Sequence, residues 1–442
     1  MTTHELMELY YGEKKEYSYN PDIPTQERIE GAILGAFIGD ALGLGCHWIY
    51  NYSEFWRDYG PWVDGYTDPK SIDEGGQFEM ISAYRYRAGV RAGMSSQSGQ
   101  LYQVLLETVA SNCKRHKGAG EFVESEYVAR VNEFFKNELR PTAAFQTDID
   151  TYNSHVGVKL EHGTYIGADD GIKCFSGRYT NEEVRFNFDY WFNKGKMDGR
   201  WWKPESNVTW TSTSEGAQWG VILAALYRDP TELFYKAYDF LSMWYMDKGF
   251  ITTQLIYIMT VQAFINNVSL EQYENYMIAL FDKLNVTNKL ISSFDDVMLF
   301  DTVHRMAKRD HLFEPKDLRF ASLLFGQNCH VNNLVRCAYY YCLKFANDFE
   351  TGILTAVNSG GQNMSRAALT GGLLGAMVGV RGIPERFITG LSNEARLIPD
   401  GYADQGSYIK DLAAAVSAHS KGEIPPLELS FESSCGCYVP GD

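Results

Sequence analysis

The chain has 442 residues, with 40 Lys+Arg against 56 Asp+Glu and a formal net charge of −16. That balance excludes sequence-independent nucleic-acid binding, which depends on neutralising phosphates with Lys and Arg. Apolar residues at 45 % and charged residues at 22 % mark a folded globular chain with material for a large core. Residues 1–27 read as a polar N-terminal extension that ends in the linker Asn20-Pro21-Asp22-Ile23-Pro24. Met1–Glu16 contains no apolar h-region, so no signal peptide is expected. Helical periodicity starts at about Arg28 and returns at 100–112, 121–139, 230–246, 255–284, 331–345 and 349–357. Residues 150–210, rich in Gly, Asp and aromatics, read as an irregular insertion, and 421–442 as a C-terminal tail. The expectation is one all-α domain over 28–420 between two tails. The most apolar stretches, 31–46 and 367–380, are too short to span a bilayer, so no membrane partner is expected. The 8 cysteines contain no CxxC pair and point to a reduced, cytoplasmic setting.

A four-residue glycine register is the informative feature. Gly31, Gly35, Gly39 and Gly43 lie on one stripe of a helix, and Ala367, Gly371, Gly375 and Gly379 repeat the pattern. Each glycine costs about 1 kcal/mol against alanine in a helix interior. Close backbone-to-backbone packing is the obvious offset, which puts two such helices at the centre of the fold; the alternative is two separate small-residue packing surfaces.

Glu30-Gly31-Ala32-Ile33-Leu34-Gly35-Ala36-Phe37-Ile38-Gly39-Asp40-Ala41-Leu42-Gly43 resembles the opening helix of the ADP-ribosylglycohydrolase family, which includes the dinitrogenase-reductase-activating glycohydrolases and the lens J-crystallins. Gly360-Gly361-Gln362-Asn363-Met364-Ser365 and the helix after it resemble that family's Gly-Gly-Asp-Thr-Asp-Thr loop, and Tyr102–Val109 resembles the helix after its Thr-Asp-Asp-Thr motif. The resemblance implies an orthogonal all-α fold with a cleft for ADP-ribose and, in active members, two magnesium ions.

The carboxylates of that pattern are missing here. Thr-Asp-Asp-Thr falls on Ser96-Gln97-Ser98-Gly99, Asp-Thr-Asp-Thr on Gln362-Asn363-Met364-Ser365, and the family's glutamate on His47. No Asp or Glu lies between Gly93 and Leu106 or between Gly360 and Gly379, so no shift of register restores them. Magnesium favours carboxylates and water in octahedral sites. The magnesium pair is therefore expected to be lost, leaving no cofactor and no metal ligand.

Three functions stay open: a non-catalytic member serving a larger assembly, a divergent ADP-ribosyl hydrolase, and a sensor that holds ADP-ribose or another nucleotide without cleaving it. The first is the leading expectation, with the two tails as contacts for other proteins. For ligand contact the candidates are Asp40, Ser98, Gly360, Gly361, Gln362, Asn363 and Arg366, because loop amides at a helix N-terminus can cradle a diphosphate and Arg366 adds charge. For residual catalysis they are His47, Glu215 and Asp40. Asp40, inside an apolar helix, either orients a ligand group or serves the core by capping a neighbouring helix or meeting an arginine. Glu215 is either a pocket carboxylate or part of a capping box in Thr211-Ser212-Thr213-Ser214-Glu215-Gly216-Ala217, in which a Ser or Thr opens the helix.

Overall fold

Residues 31–43 do form the expected glycine-striped helix: α1 covers Thr25–Leu44, opening directly after Pro24. The computed structural model describes residues 19–71, 82–83, 85–86, 90–116, 120–138, 213–245, 248–284, 303, 307, 317–392, 399 and 401–420. The proposed insertion 150–210, the tail 421–442 and residues 1–18 of the extension lie outside the described residues.

After α1 come α2 (Tyr52–Tyr59), α3 (Gln97–Arg115), α4 (Glu124–Glu138), α5 (Glu215–Leu226), α6 (Pro230–Ser242), α7 (Lys248–Ile265) and α8 (Leu270–Lys283). The chain continues through α9 (Ala321–Phe325), α10 (Val331–Lys344), α11 (Phe349–Val357), α12 (Asn363–Val378), α13 (Glu385–Thr389) and α14 (Gln405–Ser417). Every element among the described residues is helical, so the class is all-α. None of those helices is long and apolar enough to cross a membrane. The single helix expected over 255–284 is two. Asn267 takes a left-handed conformation, φ 69°, between α7 and α8, and its short polar side chain is suited to that region.

The two glycine stripes meet in antiparallel register. A Cβ placed on Gly35 would lie 2.0 Å from the Gly371 carbonyl oxygen, and one on Gly371 would lie 2.0 Å from the Gly35 oxygen. Gly31 faces Gly375 at 2.3 Å, Gly39 faces Ala367 at 2.1 Å, and Gly43 meets the Met364 Cα at 2.3 Å. Side chains are excluded along the whole seam, because main chain occupies the space a methyl would need. One position to the side, Gly372 leaves room for the Tyr257 hydroxyl, which donates to the Leu369 carbonyl at 2.8 Å.

Arg28 locks one end of this pair. Its guanidinium is fully buried. Nη1 donates to the carbonyls of Ala376 (3.1 Å) and Met377 (2.9 Å), the final turn of α12. Nε donates to Ile23 (3.2 Å), and Nη2 to the Asn20 carbonyl (2.6 Å) and Asn267 Oδ1 (3.0 Å). All five donors of the side chain thus have acceptors. The cation also sits at the negative end of the α12 dipole.

The seam predicts an inverted propensity effect. Alanine gains about 1 kcal/mol over glycine in a free helix. Gly35→Ala and Gly371→Ala should nevertheless each destabilise the protein by about 1–3 kcal/mol through overpacking. Urea unfolding followed by far-UV circular dichroism measures this, and an unchanged or raised midpoint would contradict the packing.

Candidate functional site

Asp40 lies on α1 opposite the start of α3. It is fully buried. Its Oδ2 accepts the Ser96 amide at 2.8 Å and its Oδ1 accepts the Ser96 hydroxyl at 2.6 Å. Ser96 is the N-cap of α3, and its Oγ accepts the amides of Ser98 (3.1 Å) and Gly99 (3.2 Å). The carboxylate therefore holds the cap that holds the helix, in agreement with the capping reading. A Cβ on Gly99 would come within 2.3 Å of Asp40 Oδ2, which accounts for glycine there. Burial pushes Asp40 up to about 6, against the opposing pull of the Ser96 and Gln218 hydrogen bonds and of Arg85.

Glu215 is the first residue of α5 and is buried. Ser214 stands at the N-cap but makes no side-chain capping bond. Tyr245 and Gln254 do that work instead: the Gly216 amide donates to the Tyr245 hydroxyl and the Ala217 amide to Gln254 Oε1, both at 2.9 Å. Tyr245 in turn donates to Glu215 Oε2 at 3.4 Å. One turn further along α5, Gln218 bonds Asp40, and Trp219 Nε1 donates to the Ser98 carbonyl at 2.9 Å. Glu215, Asp40 and Ser98 thus belong to one polar end of the bundle.

The second cluster surrounds the start of α12. Gly360 and Gly361 are consecutive left-handed residues, φ 63° and 58°, a turn that glycine makes without strain. The Gly361 amide donates to the Ile49 carbonyl at 2.6 Å, and the Gln362 amide to the Gln327 carbonyl at 2.9 Å. Two amides of the expected diphosphate cradle are therefore paired within the chain. Asn363 is fully buried and donates Nδ2 to the Val357 carbonyl (3.1 Å) and Cys46 Sγ (3.1 Å). Because a carbonyl can only accept, these contacts orient the amide and leave Oδ1 facing His47 Nδ1 at 3.2 Å. Nδ1 of His47 then carries the proton. Burial, with Arg85 and Arg366 beside it, drives His47 well below its ordinary pKa, so the ring is neutral at pH 7. A general base works best with a pKa near the working pH, and His47 is tuned away from that.

Arg366, one turn into α12, is fully buried and donates Nη1 to the Gly360 carbonyl at 2.9 Å. The sequence reading missed Tyr52 and Gln327, which hold the loop from outside. Tyr52 donates its hydroxyl to the Ser359 carbonyl at 2.9 Å, and Gln327 Nε2 donates to the same oxygen at 3.0 Å. No spacing rule links those residues, since their partner is far away in the chain.

As donors for a pair of magnesium ions, these residues do not fit. Asp40 is the one carboxylate in residues 31–44, 96–99 and 362–365, and both its oxygens already accept from Ser96. Asn363 Oδ1 accepts from the Met364 amide at 3.0 Å besides facing His47. Among the described residues, no group of three or more His, Cys, Asp or Glu is arranged to hold a metal ion. Amides and hydroxyls hydrogen-bond well but do not neutralise a divalent ion.

Asp40 has a pH signature. Its folded pKa of about 6 lies above the ordinary carboxylate value, so its contribution is full below about pH 4 and is lost as pH rises through 6. The loss is at most about 3 kcal/mol. Unfolding free energies of the wild type and Asp40→Asn, measured from about pH 4 to pH 7, should diverge over that window against the wild type. A constant difference would show that Asp40 does not titrate there.

Comparison with known proteins agrees with the geometry of the two-helix centre. A family model described as ADP-ribosylglycohydrolase matches residues 21–423. No curated protein matches the chain. A solved structure titled "ADP-ribosylglycohydrolase-related protein complex" shares the fold at a TM-score of 0.50 and 15 % identity, covering 90 % of this chain and 99 % of that one. With the model spanning nearly the whole sequence, and α1 paired to α12 through the glycine register that first suggested the likeness, the chain belongs to the ADP-ribosylglycohydrolase family.

Proposed function

We propose that this chain is a non-hydrolytic member of the family that has kept the fold for a structural or binding role in a larger intracellular assembly. One observation carries the reading. Asp40, the carboxylate bound to the 96–99 segment, has both oxygens on Ser96 and supports that residue as the cap of α3. The two-metal activation of water needs several unengaged oxygen ligands in a fixed array. Here the corresponding positions carry Ser96, Gln97, Ser98, Gln362, Asn363 and Met364. The His47 ring is neutral, buried and bound to Asn363, which does not poise it as a general base.

The test is direct. Purified full-length protein is incubated with ADP-ribosyl-arginine and ADP-ribosyl-serine substrates, with and without Mg²⁺, and free ADP-ribose is followed by chromatography. The expected outcome is no release above the uncatalysed rate. Magnesium-dependent turnover would overturn the proposal. Turnover that disappears in His47→Ala or Glu215→Ala would instead establish a divergent hydrolase.

A further inference from the structure

Among the described residues Arg28, Arg85, Arg319 and Arg366 are buried, and Arg28 and Arg319 show what Arg366 lacks. Arg28 has an acceptor for each of its donors, as described above. Arg319 turns its Nε–Nη2 edge to a carboxylate: Nε lies 3.0 Å from both oxygens of Asp317, and Nη2 lies 2.5 Å from Oδ2. Arg366 is 0 % exposed and its Nη1 is bound to Gly360. Its Nε and Nη2, however, make no hydrogen bond of good geometry among the described residues, and the Cys337 thiol is a polar side chain that interacts weakly with the guanidinium. Those two nitrogens form the same edge of the guanidinium, with parallel N–H bonds that match the oxygens of a carboxylate or phosphoryl group.

A buried cation with unmet donors is costly unless an anion completes it. Among the described residues no carboxylate hydrogen-bonds to Arg366. Cys337, beside Arg366, is pushed by burial up to about 11 and is a neutral thiol. Tyr341 is raised well above its ordinary value, also by burial, and stays a neutral phenol. His47 is neutral too and does not compete for an anion. The α12 N-terminus adds the positive end of a helix dipole at the same place. The Gly360–Gly361 loop rests against Tyr52 and Tyr50, which are half-buried and form the outer wall.

We propose that the Nε–Nη2 edge of Arg366, beneath the Gly360–Gly361 loop, is an oxyanion site that takes the phosphoryl or carboxylate group of a small ligand without a metal ion. Entry separates the loop from Tyr50 and Tyr52 and breaks the Gly361–Ile49 hydrogen bond. The ligand then accepts two parallel N–H bonds in the desolvated interior, where charge-assisted bonds are strongest. The site concerns binding alone and stands whether or not the chain hydrolyses anything.

Isothermal titration of the full-length protein, in Tris-chloride buffer free of oxyanions, tests this with three probes: inorganic phosphate, ADP-ribose and succinate. At least one should bind saturably without Mg²⁺. Equal affinity for phosphate and ADP-ribose would identify a simple anion site, tighter ADP-ribose a nucleotide site, and tighter succinate a carboxylate site. Arg366→Lys keeps the charge but removes the edge, and should weaken binding roughly tenfold or more. Wild-type crystals soaked in selenate give a readout that needs no variant: anomalous density is expected at the Nε–Nη2 edge. Absence of saturable binding by all three probes, unchanged affinity in Arg366→Lys, or selenate found only elsewhere would each overturn the assignment. Turnover in the hydrolase assay would contradict the non-hydrolytic reading and leave this result standing.

Discussion

Contact between the α1 and α12 backbones is the constraint from which the other features follow. Carbonyl oxygens of one helix occupy the space where the other would carry Cβ atoms, at Gly31, Gly35, Gly39, Gly371 and Gly375. The contact fixes the sliding position of two helices more than 300 residues apart, because any shift would bring a side chain against main chain. At one end it delivers the last carbonyls of α12 to Arg28. At the other it sets Gly43 on Met364, which brings Asn363 to His47.

The buried ionic groups show how this frame handles charge. Arg28 is neutralised by carbonyl dipoles, and Arg319 by Asp317. Asp40 is held by the Ser96 cap and has its pKa raised by desolvation. These solutions are structural, and each leaves its group fully engaged. Arg366 differs from these three, with Nη1 on the Gly360 carbonyl and no well-formed bond from Nε or Nη2 among the described residues. Residues 96–99 and 362–365 carry no carboxylate, and Arg366 places a fixed positive charge beside the second of these segments.

Much of the fold was legible in the chain. The glycine register, helices near 100–112, 331–345 and 349–357, and the start of α1 follow from local periodicity and propensity. The break at Asn267 was not, since residues 255–284 keep an apolar pattern through it, and the left-handed turn is held by contacts to Arg28 and Pro21. Nor was the capping of α5, where Ser214 has the right residue type but Tyr245 and Gln254 reach the amides first. Helix α2 is short and its aromatic content hides its period. For Asp40, both readings were open because a carboxylate in an apolar helix says only that some partner exists.

By itself, the sequence determined the helical class, the close-packing stripes and the absence of acidic residues from 96–99 and 362–365. Those are properties of neighbouring residues, set by spacing and side-chain chemistry. Only the tertiary structure decided which polar group meets which: Asp40 with Ser96 across 56 residues, His47 with Asn363 across 316, and Arg366 with the Gly360 carbonyl. Hydrogen bonding is directional and short-ranged, so a partner is specified by where two backbones are brought together rather than by the identity of either residue.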